Sequence, residues 1–225
     1  MTEEIKILYE DADTLVIDKP SGLLSEQSPK APSVVNTLLS HGKDGFLSPI
    51  TRLDREVSGV MLLAKTPKSA AYYSSILADK EIFKKEYLAV ISGSMEDKSG
   101  ELHDLLFKDS AKNKSYVVKR MRRGVKAASL AYEVLAEGDG CSLVHVVLHT
   151  GRTHQIRVQF SSRRHPLLGD RKYGGGDESP MGLLSYRLTF KNTKGKSVCC
   201  TAQRSDCMPF APFASAIPQK TENTQ

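Results

Sequence analysis

The segment Ile50-Thr51-Arg52-Leu53-Asp54-Arg55-Glu56-Val57-Ser58-Gly59 sets an acid, Asp54, between two arginines, just ahead of a glycine-bounded apolar run. Nearby guanidinium charge favours the ionised form of an acid, and an ionised carboxylate is what nucleophilic catalysis needs. A loop aspartate of this kind is more often just satisfied by its local arginines. A second segment, Leu148-His149-Thr150-Gly151-Arg152-Thr153-His154-Gln155-Ile156-Arg157-Val158, reads as a strand ending in Thr-Gly, followed by a basic helix start. Backbone N–H groups gathered there with Arg152 and His154 suit a phosphate. The plainer alternative is a solvated helix end with a histidine bonded to backbone.

Both segments need elements to position them. IKILYE and TLVIDK read as a hairpin around the turn Asp11-Ala12-Asp13, and Lys19-Pro20-Ser21-Gly22 breaks the second strand. Ser33 caps a short helix over VVNTLL, and a loop containing Gly and Pro leads to Asp54. VMLLAK is then a buried strand. Thr66-Pro67 starts a helix with Ala70, Tyr73, Ile76 and Leu77 on one face. Strands are expected at 85–91, 115–118, 128–135, 141–149, 183–190 and 197–202. After Thr150-Gly151 the period changes: Ile156 and Phe160 lie four apart, with Arg152, His154 and Arg157 on other faces of a short helix ended by Pro166. Many consecutive strands with few helices predict an α+β domain with a mixed, mainly antiparallel sheet. Neither GxGxxG nor GxxxxGKS/T is present, which argues against a doubly wound nucleotide-binding fold.

Composition narrows the class. The 225 residues suffice for one well-filled domain, expected over 1–210 with a weakly ordered tail over 211–225. No apolar run reaches the ~20 residues of a membrane helix, and the acidic start MTEEIKILYEDAD lacks the pattern of an export signal, so a cytoplasmic protein is expected. Cys141, Cys199, Cys200 and Cys207 show no zinc spacing; reduced thiols and no metal are expected. The net charge of +6 is uneven: residues 1–30 hold three lysines against seven acids, whereas 108–172 hold fourteen basic residues against five acids. The second stretch suits a polyanion, although charge runs are ordinarily solvated faces.

Taken in order, these segments resemble the RluA-type family of RNA pseudouridine synthases. The resemblance begins at DTLVIDKPSGLL, continues through TRLDREVSGVMLLAKT and KKEYLAVISG, and ends with LHTGRTHQIRVQF, HPLLGDRKYG and LLSYRLTF, to about Phe210. It implies the pseudouridine synthase fold and isomerisation of uridine in structured rRNA or tRNA. It makes Asp54 the catalytic aspartate, Arg52 the arginine that enters the space left by a flipped base, and Tyr87 the tyrosine that stacks on the uracil. Arg157 becomes the basic partner of the aspartate, and Ile156 its apolar neighbour. No cofactor, membrane or protein partner is implied, and a monomer suffices.

The chain departs from the family pattern at Thr51, Val57 and Gln159, where the family usually has His, Thr and often His. Because the N-terminus leads directly into the catalytic segments, an S4-like RNA-binding domain of the kind many relatives carry is not expected ahead of them. Two rivals remain at this stage. An RNA N-glycosylase would start from the same carboxylate chemistry, with Glu56 as the only adjacent second acid. A catalytically silent RNA-binding or ribosome-assembly factor would keep the fold alone.

Overall fold

Among the described residues, 5–43, 45–176, 179–203 and 207–218 of a computed structural model, the apolar runs become eleven strands and three α-helices. In chain order they start with β1 (Lys6–Glu10), β2 (Thr14–Lys19), α1 (Val34–Ser40), β3 (Ser48–Pro49), β4 (Ser58–Ala64), α2 (Pro67–Ile76) and β5 (Phe83–Ser92). There follow β6 (Ser99–Asp109), β7 (Lys114–Val118), β8 (Val125–Gly138), β9 (Cys141–Leu148), α3 (Gln155–Ser161), β10 (Leu183–Lys191) and β11 (Ser197–Thr201). The chain divides into two compact units, the first drawn from 1–85 and 184–204 and the second from 86–183 and 205–218.

In the first unit β4 is central. It pairs antiparallel with β2 and β3 and parallel with β10, while β1 flanks β2 and β11 flanks β10, both antiparallel. Every residue of β2 is buried, Asp18 and Lys19 included, so this strand is covered on both faces. Helix α2 starts as its sequence dictates: Thr66 accepts from the Ser69 amide and the Ser69 hydroxyl accepts from the Thr66 amide, with Pro67 in the first turn. Its fully buried Tyr73 meets Phe190 edge-to-face at 5.7 Å. Gly59 is obligatory where β4 meets β10. Its φ is +111°, and a Cβ there would lie 2.2 Å from the carbonyl oxygen of Ser185.

The second unit orders its strands β5-β9-β8-β6-β7, with antiparallel pairing of β8 to β9, β6 to β8 and β6 to β7. Helix α3 covers one face of the β6–β8 region through a cluster of Leu106, Ala128, Val158 and Tyr173. The mixed, mainly antiparallel pairing and few helices give the α+β class.

Two expectations are corrected. Strand β6 was not expected, because Asp104 interrupts the apolar alternation of SGELHDLLFKD; it bonds instead to Gln159 and Arg163, more than fifty residues away. Helix α3 begins only at Gln155, so Arg152 and His154 lie in the turn before it, and Arg157 is buried rather than on an open face. At the tail, Ala211–Ala216 forms a 3-10 turn with Phe213 buried. Residues 219–225 lie outside the described residues.

Candidate active site

Asp54 sits in the loop leading into β4, and that loop is held mainly through its backbone. The Ser25 hydroxyl donates to the Leu53 carbonyl at 2.7 Å and accepts from the Leu53 amide at 2.9 Å, clamping the residue before Asp54. The Val57 amide closes a turn on the Asp54 carbonyl at 3.1 Å. Gly22 and Arg55 exchange two bonds, the Gly22 amide to the Arg55 carbonyl at 2.7 Å and Arg55 Nε to the Gly22 carbonyl at 2.9 Å. Ser21 donates to the Glu56 carbonyl at 2.8 Å. The segment Lys19–Ser25 thus wraps the turn that presents Asp54.

Lys19 is the residue that the sequence reading passed over as a strand break. It is buried, and its ammonium donates to the carbonyls of Pro20, Leu23 and Arg55 at 3.0, 2.9 and 3.2 Å. Burial pushes its pKa down to about 8, against the opposing pull of the Asp54 charge. The available signal was a lysine directly after the apolar run Leu15-Val16-Ile17 and Asp18, where a buried cation needs acceptors.

Arg52 differs from Asp54 in being exposed. Its guanidinium pairs with Glu26 at 3.0 Å, both side chains being more than three-fifths exposed, and such a pair contributes only about 0–1 kcal/mol. Thr51 and Val57, two departures from the family pattern, serve the loop: Thr51 Oγ1 accepts from the Leu62 amide at 2.8 Å, and Val57 is buried.

The second unit holds the remaining candidates. Tyr87 lies on β5, nearly buried, and Ile156 and Arg157 are buried in α3. Arg157 makes a two-pronged pair with Asp170, Nε to Oδ2 at 2.7 Å and Nη2 to Oδ1 at 2.8 Å, with side-chain exposures of only 4% and 0%. Asp170 Oδ1 also accepts from the amides of Lys172 and Tyr173. The turn depends on Gly175, where a Cβ would fall 1.6 Å from the Leu167 carbonyl oxygen.

Tyr173 ties this turn to α3 and β7. The Arg157 guanidinium lies over its ring at 5.2 Å, and its hydroxyl meets His154 Nδ1 at 2.9 Å and the Ser115 amide at 2.8 Å. His154 caps α3 in a left-handed conformation, φ +54°. Gln155 occupies the groups expected to face phosphate: its Oε1 accepts from the Arg152 amide at 3.0 Å and from the Thr150 hydroxyl at 2.7 Å. The exposed Arg152 side chain donates to the Ala127 carbonyl at 2.9 Å. Gln159, the third departure, donates to Asp104 at 2.7 Å. Among the described residues no group of three or more His, Cys, Asp or Glu side chains is arranged to hold a metal ion, and no helix is long and apolar enough to cross a membrane.

Residues 13–162 match the RNA pseudouridylate synthase family, and the chain belongs to that family, in its RluA-type branch. It is 37% identical over 193 residues to an uncharacterized RNA pseudouridine synthase of Aquifex aeolicus, covering 80% of this chain and 60% of that protein. It is 35% identical over 184 residues to ribosomal large subunit pseudouridine synthase D of Yersinia pestis, covering 79% and 55%. The chain therefore spans a little over half the length of these relatives. The solved structure of human RNA pseudouridylate synthase domain containing 4 has the same fold, with a TM-score of 0.75 at 22% identity, over 95% of each chain.

Proposed function

We propose that this chain converts selected uridines of ribosomal RNA to pseudouridine, with residues 1–210 as its catalytic domain and Asp54 as its catalytic carboxylate. The observation that carries the reading is the turn at Asp54, clamped by Ser25 and braced by Lys19–Gly22, in a chain whose family match over residues 13–162 spans both Arg-Leu-Asp and Gly-Arg-Thr-His-Gln-Ile-Arg. A relative named for the ribosomal large subunit favours rRNA over tRNA.

The target uridine must leave its stack before its glycosidic bond can be reached, at a cost of a few kcal/mol. Arg52, held by an exposed pair, can exchange Glu26 for RNA and fill the gap. Tyr87 stacks on the extruded uracil. Asp54 then acts at the ribose, as a nucleophile at C1′ or by taking the C2′ proton. The N1–C1′ bond breaks, the uracil turns within a site closed to water, and a C5–C1′ bond forms. The C5 proton is lost and N1 gains one, so atoms balance without redox chemistry. Arg157 serves as the basic partner that orients the carboxylate.

The test is to incubate the protein and its Asp54→Asn variant with unmodified rRNA and tRNA transcripts and map pseudouridine at nucleotide resolution. Discrete sites made only by the wild type, with RNA affinity retained in the variant, are expected. Full activity of Asp54→Asn would overturn the assignment of the carboxylate. Release of free uracil would indicate a glycosylase, and an Asp54 variant that fully replaced the wild type in cells would point to a binding role. Slower turnover of 2′-deuterated uridine would select C2′ proton removal over attack at C1′.

A further inference from the structure

The face of the β6–β7–β8 sheet turned away from α3 is not built like an ordinary solvent face. The register fixes its rows: His103 pairs with Ser129, Leu105 sits between Val118 and Ala127, and Phe107 sits between Tyr116 and Val125. The alternate residues, Leu106 and Ala128, point the other way into the cluster with α3. Two of these three outward rows are therefore apolar and aromatic where alternation would put polar residues. Tyr116 is 37% exposed on β7, the last strand in the order of its unit. The Arg122 guanidinium lies over the Phe107 ring at 5.2 Å, and Lys114 Nζ lies 5.9 Å from the Tyr116 ring centre. An open groove of about 420 Å³ adjoins these rows, its lining including His103, Leu105, Val118, Lys119 and Thr150, together with Asp104, whose carboxylate is bonded to Gln159 and Arg163.

We propose that this face is a stacking platform for unpaired RNA bases, with Tyr116 and the Arg122–Phe107 pair as its plates and the groove beside them taking the adjoining nucleotide. The inference rests on the reading that the chain acts on RNA, and concerns a surface to which that reading assigns nothing. Single-stranded RNA is recognised by bases stacked on aromatic rings or guanidinium planes and by cations that follow the phosphates. Both are here. Lys119, Arg120, Arg122 and Arg123 lie within five consecutive positions between β7 and β8, at the edge of the face. Of the acids on the same rows, Glu101 pairs with His103 and Asp109 caps the Lys112 amide. A protein-binding patch would be depleted of charge at its centre, whereas here a guanidinium covers one of the central rings.

The test uses a fluorescein-labelled RNA hairpin with a seven-nucleotide single-stranded loop carrying 4-thiouridine. Tyr116→Ala is expected to raise its Kd by about 5- to 150-fold, the range for loss of one stacked base. Tyr116→Phe should restore wild-type binding, and the salt dependence should not change because no cation is removed. Photocrosslinks in the wild type should fall on the peptide containing Tyr116, a readout independent of how the variant folds. Crosslinks only elsewhere, or an unchanged Kd for Tyr116→Ala, would overturn the platform while leaving pseudouridine formation by the wild type intact. A wild type that self-associates through this face, with the association lost in Tyr116→Ala and RNA affinity unchanged, would make it a chain–chain interface instead. Crosslinking at Tyr116 without any pseudouridine would keep the platform and remove the catalytic reading.

Discussion

Replacing Asp170 with Asn leaves side-chain size almost unchanged but takes the negative charge from beside a guanidinium that is 4% exposed. Removing one member of a buried ion pair costs about 3–5 kcal/mol. The Lys172 and Tyr173 amides also lose a charged acceptor. With a urea slope of about 2–3 kcal/mol/M for the cooperative unit, the midpoint should fall by roughly 1–2 M. The chain has eight tyrosines and no tryptophan, so tyrosine fluorescence with far-ultraviolet circular dichroism follows the transition. A double-mutant cycle with Arg157→Met isolates the pair, since replacing both members by uncharged groups removes most of the penalty. Coupling above about 1.5 kcal/mol is expected, together with a fall in kcat at unchanged RNA affinity, because Asp170 acts through Arg157 and not on RNA. Singles that add within about 0.5 kcal/mol would refute the reasoning.

Further predictions concern the loops, the buried lysine and the glycine beneath the Asp54 turn. Replacing Arg120, Arg122 and Arg123 together should weaken RNA binding and reduce the slope of log K against log salt by about 2–3, as for three lost phosphate contacts; an unchanged slope would remove the 108–126 loop from the interface. The pKa of Lys19 is about 8 in the folded state and near its ordinary value in the unfolded state, so the unfolded chain binds more protons between those limits. Stability relative to Lys19→Met should rise by about 3 kcal/mol from pH 8 to 10.5, measured by urea titration at each pH. The comparison with the variant matters because Cys200, whose pKa burial pushes up to about 12, works in the opposite direction. Gly59→Ala places a Cβ against the Ser185 carbonyl at φ +111° and should cost about 2 kcal/mol or more; a thermal midpoint equal to that of the wild type would show that β10 gives way.

Local signals in the sequence carried much of this. The caps at Ser33 and Thr66-Pro67, the apolar runs of β2 and β4 and the motif around Asp54 declare themselves within a few residues. What escaped depended on distant partners. β6 reads poorly because Asp104 faces inward, and that is tolerated only because Arg163 and Gln159 arrive from α3 and its end. Lys19 reads as a break because its three acceptors include a carbonyl 36 positions away. Arg157 reads as a helix-surface cation because Asp170 lies 13 residues further on, beyond a proline. In each case a polar group is buried in company that spacing along the chain does not reveal.

The contrast between Asp54 and Arg52, two residues apart, suits the role proposed for each. The backbone around Asp54 is held by Ser25, Gly22 and Lys19 through carbonyl and amide groups, so the turn that carries the carboxylate is set in place. Pre-positioned charge costs no reorganisation when the reaction begins. Arg52 is tethered only by an exposed pair of about 0–1 kcal/mol, less than the few kcal/mol needed to extrude a base. Glu26 therefore cannot keep Arg52 from RNA, and it need only keep the side chain near the turn until RNA arrives. On the function proposed, the same loop fixes the group assigned to the ribose and leaves loose the group assigned to follow the RNA.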